Sequence, residues 1–314
     1  MSTRLCAVSM LASLMLATQP AAAAEKSRLN AVGISVGSLD NPYFKALVRG
    51  ALGEIRSINP TAHINTVSSD FVLARQQAQI DQFIVAGVDM ILLVAAHPRQ
   101  IEPSVRKARQ AGIKVVAVDV EAAGADVTVQ SDNRLAGKSV CTYLAEKIGG
   151  KGNLIIQNGP PVSSIRDRVE GCRSSLKNYP GIQLLDDKGD GKASSFGGMN
   201  LMLSHLQRYP RIDAVFAIND RQAIGADKAA RSQGRQEMII GSVDGSPDIE
   251  AALQQDTRVR VSAGQNPFLL GKTAAQLGNR LVNGETPQER DIRMPVPLLT
   301  RDNVREYKGW GAVH

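Results

Sequence analysis

Short apolar, β-branched runs recur along this chain with stretches of helical spacing between them, and that alternation restricts what it can fold into. The runs are Ala31 to Val36, Ile64 to Val67, Met90 to Val94, Val115 to Val118, Leu154 to Gln157, Ile182 to Leu185, Ala214 to Ile218, Ile239 to Ile240 and Val259 to Ser262. Between them, Asn41 to Ile58, Phe71 to Ala86, Arg99 to Ala111, Asp132 to Ile148, Ser164 to Asn178, Met199 to Tyr209 and Arg221 to Gln233 repeat apolar residues at helical intervals. Strands that alternate with helices predict parallel sheets covered on both faces, an α/β class. Ala86-Gly87, Ala111-Gly112 and Gly149-Gly150 fall where helices should stop.

The series is interrupted once. A short strand near Val127 and the polar tripeptide Ser131-Asp132-Asn133 separate four βα units from the next set. A further helix, Phe268 to Val282, and an extended proline-bearing stretch, Met294 to Leu299, follow the second set. We therefore expect two Rossmann-like lobes joined by a multi-crossing hinge. Residues 25–131 plus 266–294 would form the N-terminal lobe, and 132–265 plus 295–314 the C-terminal lobe. Hinge segments are expected near Ser131 to Asn133, Gly264 to Asn266 and Pro295 to Pro297.

The first residues point to export. Arg4 precedes an apolar run from Ala7 to Ala17, and Ala21 to Ala24 offers a small-residue cleavage site, so residues 1–24 are expected to be a signal peptide. The run is too short for a membrane span, which needs about 20 apolar residues. Cys6 lies before the run, where a lipidated cysteine would not. The net charge of +7 is spread along the chain without a dense basic block, which gives nucleic-acid binding little support. Cys141 and Cys172 remain after cleavage; in an oxidising compartment they are either a disulfide or two small buried residues on separate helices. The four histidines are scattered, and no metal site and no cofactor are expected.

Ligands of open parallel sheets bind beyond the carboxyl ends of the strands. Those ends carry Asp40-Asn41-Pro42-Tyr43-Phe44, Asp119, Asn158-Gly159-Pro160-Pro161, Asn219-Asp220, Val243-Asp244-Gly245-Ser246-Pro247 and Gly264-Gln265-Asn266-Pro267. Carboxylates and amides of this kind satisfy hydroxyls that both donate and accept, and Tyr43 or Phe44 could lie against apolar C–H faces. Each also has a plainer reading. Asn41 and Asn219 suit helix N-caps, Asp119 and Asp244 suit turns, the two aromatics suit a helix core, and Arg166 suits a solvated surface.

In order and over essentially the whole mature chain, these motifs and Ser131-Asp132-Asn133 resemble the type I periplasmic sugar-binding family, which includes ribose- and galactofuranose-binding proteins. The resemblance implies a non-enzymatic, monomeric periplasmic protein that closes on a sugar or sugar alcohol and delivers it to an ABC permease with its ATPase. A periplasmic ligand-binding partner of a chemotaxis or sensor protein is the alternative. It also implies a ligand set of Asn41, Tyr43, Phe44 and Asp119 from the first lobe, with Arg166, Asn219, Asp244 and Gln265 from the second lobe and hinge.

Two positions depart from the family pattern. Val120 stands where an arginine often follows the aspartate, and Ala193 where an aromatic often stacks on the sugar; Phe196 lies about a helical turn away. With aromatics at 4% of the chain, few substitutes exist, which favours a smaller polyol or a different pentose over ribose. Rival classes find less support. The first strand and its turn, Gly33-Ile34-Ser35-Val36-Gly37-Ser38, lack the dinucleotide fingerprint, and Gly271-Lys272-Thr273 imitates a phosphate loop from inside a helical pattern. The expected signal peptide occupies the place of a repressor's DNA-binding module, and no nucleophile, base and orienter trio is recognisable.

Overall fold

The computed structural model describes residues 29–310; the expected signal peptide lies outside them. The chain begins with β1 (Ala31–Val36), α1 (Pro42–Ile58), β2 (His63–Ser68), α2 (Leu73–Val85), β3 (Met90–Leu93), α3 (Glu102–Gln110), β4 (Lys114–Val118) and β5 (Val127–Ser131). A second series runs α4 (Asn133–Lys147), β6 (Lys151–Gln157), α5 (Ser163–Leu176), β7 (Gly181–Asp186), α6 (Ser195–Arg208), β8 (Ala214–Ala217), α7 (Asp220–Ser232), β9 (Ile239–Asp244), α8 (Pro247–Gln254) and β10 (Val259–Gly264). Last come α9 (Pro267–Val282), β11 (Asp291–Met294), β12 (Leu298–Thr300) and a 3₁₀ turn at Val304–Glu306.

These strands make two six-stranded sheets, ordered β11-β5-β4-β3-β1-β2 and β12-β10-β9-β8-β6-β7. All pairings are parallel except β12 with β10. Central strands β3 (MILL) and β8 (AVFA) are buried throughout, as strands covered on both faces must be, whereas the edge strands β2 and β7 hold only exposed and half-buried positions. In both sheets the order reverses beside the first strand of the series, β1 or β6. That reversal opens a crevice at the carboxyl ends of the strands, and the two crevices supply the walls of one cleft.

The chain passes between the sheets three times: after β5, after β10 and between β11 and β12. At the last passage the extended stretch splits into two strands around Pro295-Val296-Pro297, because prolines lack the N–H that a ladder requires. Close helix crossings stabilise the arrangement. A Cβ on Gly50 of α1 would run into the Phe268 carbonyl, and one on Gly271 of α9 into the Leu47 carbonyl. Gly271 is therefore a packing residue, which accounts for the phosphate-loop imitation. Cys141 of α4 and Cys172 of α5 form a disulfide with Cα atoms 5.1 Å apart.

Candidate functional site

The first wall of the cleft is set by the start of α1. Pro42 opens the helix and the Asn41 side chain caps it, accepting from the Tyr43 N–H at 3.1 Å. The cap fixes the first turn so that Tyr43 and Phe44 are buried, both lining the cleft. The Tyr43 hydroxyl reaches Asp119 Oδ1 at 2.6 Å and Gln265 Oε1 at 3.2 Å. Asp119 follows β4 with φ 71°, a strained backbone for a non-glycine residue that aims its carboxylate inward.

The second wall comes from β8, β9 and α5. Asn219 caps α7 by accepting from the Gln222 N–H at 3.0 Å and donates to the Ala193 carbonyl at 3.2 Å. Asp244 ends β9 with φ 142° and accepts from Gln265 Nε2 at 2.8 Å and Arg168 Nη1 at 3.4 Å. Arg168 also donates to Asn133 Oδ1 and to the Ile218 carbonyl, each at 2.8 Å. Asp119, Tyr43, Gln265, Asp244 and Arg168 thus form one continuous polar chain across the cleft. Their mutual bonds leave about 50 Å³ of room. By that measure one water occupies about 10–15 Å³.

Burial pushes Asp119 above the ordinary carboxylate range, against the Tyr43 hydrogen bond and the Arg168 charge. Asp244 is raised further by burial, opposed by Arg168 and reinforced by Asp220 and Asp119. Tyr43 is raised by burial and by the neighbouring Asp119. Behind Asp244, Asp220 is fully enclosed; it accepts from the Ser242 and Ser262 hydroxyls at 2.6 and 2.7 Å and the Ser246 N–H at 2.7 Å. Burial lifts it to about 6 in spite of those bonds.

Of the expected ligand set, Asn41, Tyr43, Phe44, Asp119, Asn219, Asp244 and Gln265 come together in the cleft. Arg166 does not. It bonds Glu121 Oε2 at 3.1 Å and Asp167 Oδ1 at 3.0 Å outside the cleft lining, while Arg168 enters. Two positions along an α-helix are a rotation of roughly 200°, so these arginines occupy opposite faces. The phase was readable: Arg168 lies four residues before the buried Cys172 and three after Ile165.

Phe71 was also missed. With φ 57° it enters the wall at a tilt to Phe44, ring centroids 6.0 Å apart, over Gly37, where a Cβ would collide with its ring. Val120 is buried in the lining, as is part of Ala193, whereas Phe196 lies in the first turn of α6 with 72% of its surface exposed. The aromatic lining therefore comes from Tyr43, Phe44 and Phe71, all in the first lobe.

Every polar group of the cleft presents donors or acceptors suited to hydroxyls. Among the described residues no cluster of three or more His, Cys, Asp or Glu could hold a metal.

Residues 32–286 match the family model of the periplasmic binding protein domain. The chain belongs to this family. Among relatives of this periplasmic binding protein, the ribose import binding protein of Bacillus subtilis is 29% identical over 274 residues, 86% of this chain and 87% of the relative. A xylitol-binding protein of Mycolicibacterium smegmatis is 30% identical over 245 residues, 76% of this chain and 68% of the relative. An ABC transporter solute-binding protein of Bacillus halodurans, solved with bound myo-inositol, superimposes with a TM-score of 0.83 at 24% identity, covering 90% of this chain and 98% of that one. That last likeness concerns the fold.

Proposed function

We propose that this periplasmic binding protein captures a sugar or sugar alcohol by hinge closure and delivers it to an ABC permease driven by its ATPase. The observation that carries the reading is the polar chain Asp119–Tyr43–Gln265–Asp244–Arg168, whose members come from both lobes and from a crossing segment. A ligand hydroxyl that replaces one of these mutual bonds gains partners from both walls only when the lobes are together, so it favours the closed state. The relatives named for ribose and xylitol support this ligand class.

The narrow space, Val120 and Ala193 favour a small, open-chain polyol. One aromatic wall contacts its C–H face, and the carboxylates and amides contact its hydroxyls. A thermal-shift screen of pentoses and alditols, followed by calorimetry, tests the reading, because a ligand of the folded state raises apparent stability. An alditol is expected to bind, and Asp119→Ala and Asp244→Ala are each expected to abolish binding in a folded protein. Tight ribose binding without alditol binding would reject the polyol; undiminished binding in both variants would reject the site.

A further inference from the structure

The single tryptophan of the chain, Trp310, touches the candidate site from behind, on a segment beyond the residues that the family model matches. The path to it is well anchored. After β12, Asn303 ties the turn by accepting from the Thr300 N–H at 2.8 Å and donating to the Leu298 carbonyl at 2.9 Å, and Val304 is buried. Tyr307 then covers the passage from β10 to α9. Its hydroxyl donates to the Gln265 carbonyl at 3.3 Å and stands where a Cβ on Gly245 would approach within 2.7 Å. Gly309, with φ 69°, turns the chain inward.

Trp310 is buried and makes two specific contacts. Its indole Nε1–H donates to the Asp244 carbonyl at 2.8 Å, and its ring meets Tyr43 edge to face with centroids 5.5 Å apart. Asp244 is the strained residue at φ 142°, and the indole joins the Gln265 backbone N–H, 2.9 Å away, as a second donor on its carbonyl, which limits how its peptide can rotate. Trp310 and Tyr307 together touch Asp244, Gln265 and Tyr43, the three adjoining members of the polar chain, without lining the cleft.

We propose that the segment Tyr307–Trp310 is a positioning clamp that sets the affinity and selectivity of the site by holding Asp244, Gln265 and Tyr43 in register for a polyhydroxylated ligand. The proposal rests on the function proposed above. Rotation of the Asp244 peptide would swing its carboxylate away from Gln265 and Arg168, and the site would lose the order that distinguishes one hydroxyl configuration from another. Positioning of this kind acts through supporting hydrogen bonds and packing.

The test uses the full chain and calorimetry with xylitol, ribitol and ribose, together with thermal unfolding without ligand. Trp310→Phe keeps a ring against Tyr43 but removes the N–H. Trp310→Ala removes both contacts, and Tyr307→Phe removes only the hydroxyl on Gln265. For the best-bound compound, Trp310→Phe and Tyr307→Phe are each expected to weaken binding about five- to tenfold, the effect of losing one hydrogen bond. Trp310→Ala is expected to weaken it more, and the preference between xylitol and its epimer ribitol should narrow in all three. Variants that unfold at lower temperature yet bind with wild-type affinity and preference would show a merely structural role and overturn the clamp. Wild-type protein that binds none of the three compounds would overturn both the clamp and the ligand class on which it rests, a failure visible before any variant is compared.

Discussion

The Tyr43 hydroxyl lies 2.6 Å from Asp119 Oδ1, so the first turn of α1 and the end of β4 are joined by a short hydrogen bond within the cleft. Its acceptor is a buried carboxylate. Tyr43→Phe should preserve the ring packing on Phe44 and Trp310 while removing the hydroxyl. Loss of a hydrogen bond to such a group costs about 1–3 kcal/mol. Denaturant unfolding of the variant is expected to show that loss, and polyol binding should weaken as well. Unchanged stability would mean that the hydroxyl contributes nothing to Asp119.

The two arginines of α5 should behave very differently. Arg168→Ala leaves Asp244 buried without the cation that pairs with it, and breaking a buried pair from one side costs roughly 3–5 kcal/mol. Arg166→Ala removes a half-exposed pair with Glu121, for which about 0–1 kcal/mol is usual, and a bond to the neighbouring buried Asp167, whose carboxylate lies outside the cleft. We expect Arg168→Ala to abolish ligand binding and lower the unfolding midpoint steeply, with Arg166→Ala close to wild type in binding and less destabilised. Equal effects would refute the placement.

The success and failure of sequence reading at this site have one cause. Asp119 and Asp244 were legible because each closes a strand-like run, Val115 to Val118 for the first and Ile239 to Val243 for the second, and the end of such a run locates the mouth of a parallel sheet. Choosing between Arg166 and Arg168 required the rotational phase of a helix, which boundary motifs do not supply. Phe71 and Trp310 reach the site only through tertiary approach, one over Gly37 and the other from the C-terminal segment. Among the elements, α8 was passed over although Ser246 caps it and Pro247 opens it, because its eight residues bury only Ile249, Ala252 and Leu253.

The disulfide links helices that support the second wall, with a sequence separation of 31 between Cys141 and Cys172. A loop of that size gives about 3–4 kcal/mol in the chain-entropy description. The double variant Cys141→Ala/Cys172→Ala is expected to unfold at distinctly lower denaturant concentration than oxidised wild type. Reductant should lower the wild-type midpoint and leave the variant unmoved. Reductant sensitivity in the variant would point to some other cause.

Gly271 offers a separate check on the helix crossing that follows the second passage between lobes. In Gly271→Ala the new methyl group meets the Leu47 carbonyl, so α1 and α9 must move apart; overpacking of this kind costs about 1–3 kcal/mol. Lys272→Ala, one residue on, should be nearly neutral because its nearest acid, Glu54, is 4.0 Å away and the lysine is partly exposed. If Lys272→Ala proved the more damaging of the two by thermal unfolding, the packing account of Gly-Lys-Thr would fail.

The buried acids give stability an unusual pH dependence. Asp220 titrates near 6 in the folded protein, against 3.8 for an ordinary aspartate, and Asp119 and Asp244 are shifted in the same direction. Between those values the folded state holds more protons than the unfolded chain, so stability falls as pH rises through the window from 3.8 to about 6. Asp70, Asp186 and Glu237 are shifted downward, and their contribution is lost instead as pH falls below the ordinary carboxylate range. The opposing trends place maximal stability well on the acid side of neutrality, close to the ordinary carboxylate range at about pH 4. Denaturant midpoints measured from about pH 3 to 8 should show that maximum. Asp220→Asn retains an oxygen for the serine hydroxyls but turns an amide toward the Ser246 N–H, so it should be less stable overall, with a shallower decline from pH 5 to 7. A wild-type midpoint that rises across that interval would contradict the upward shifts of all three buried aspartates.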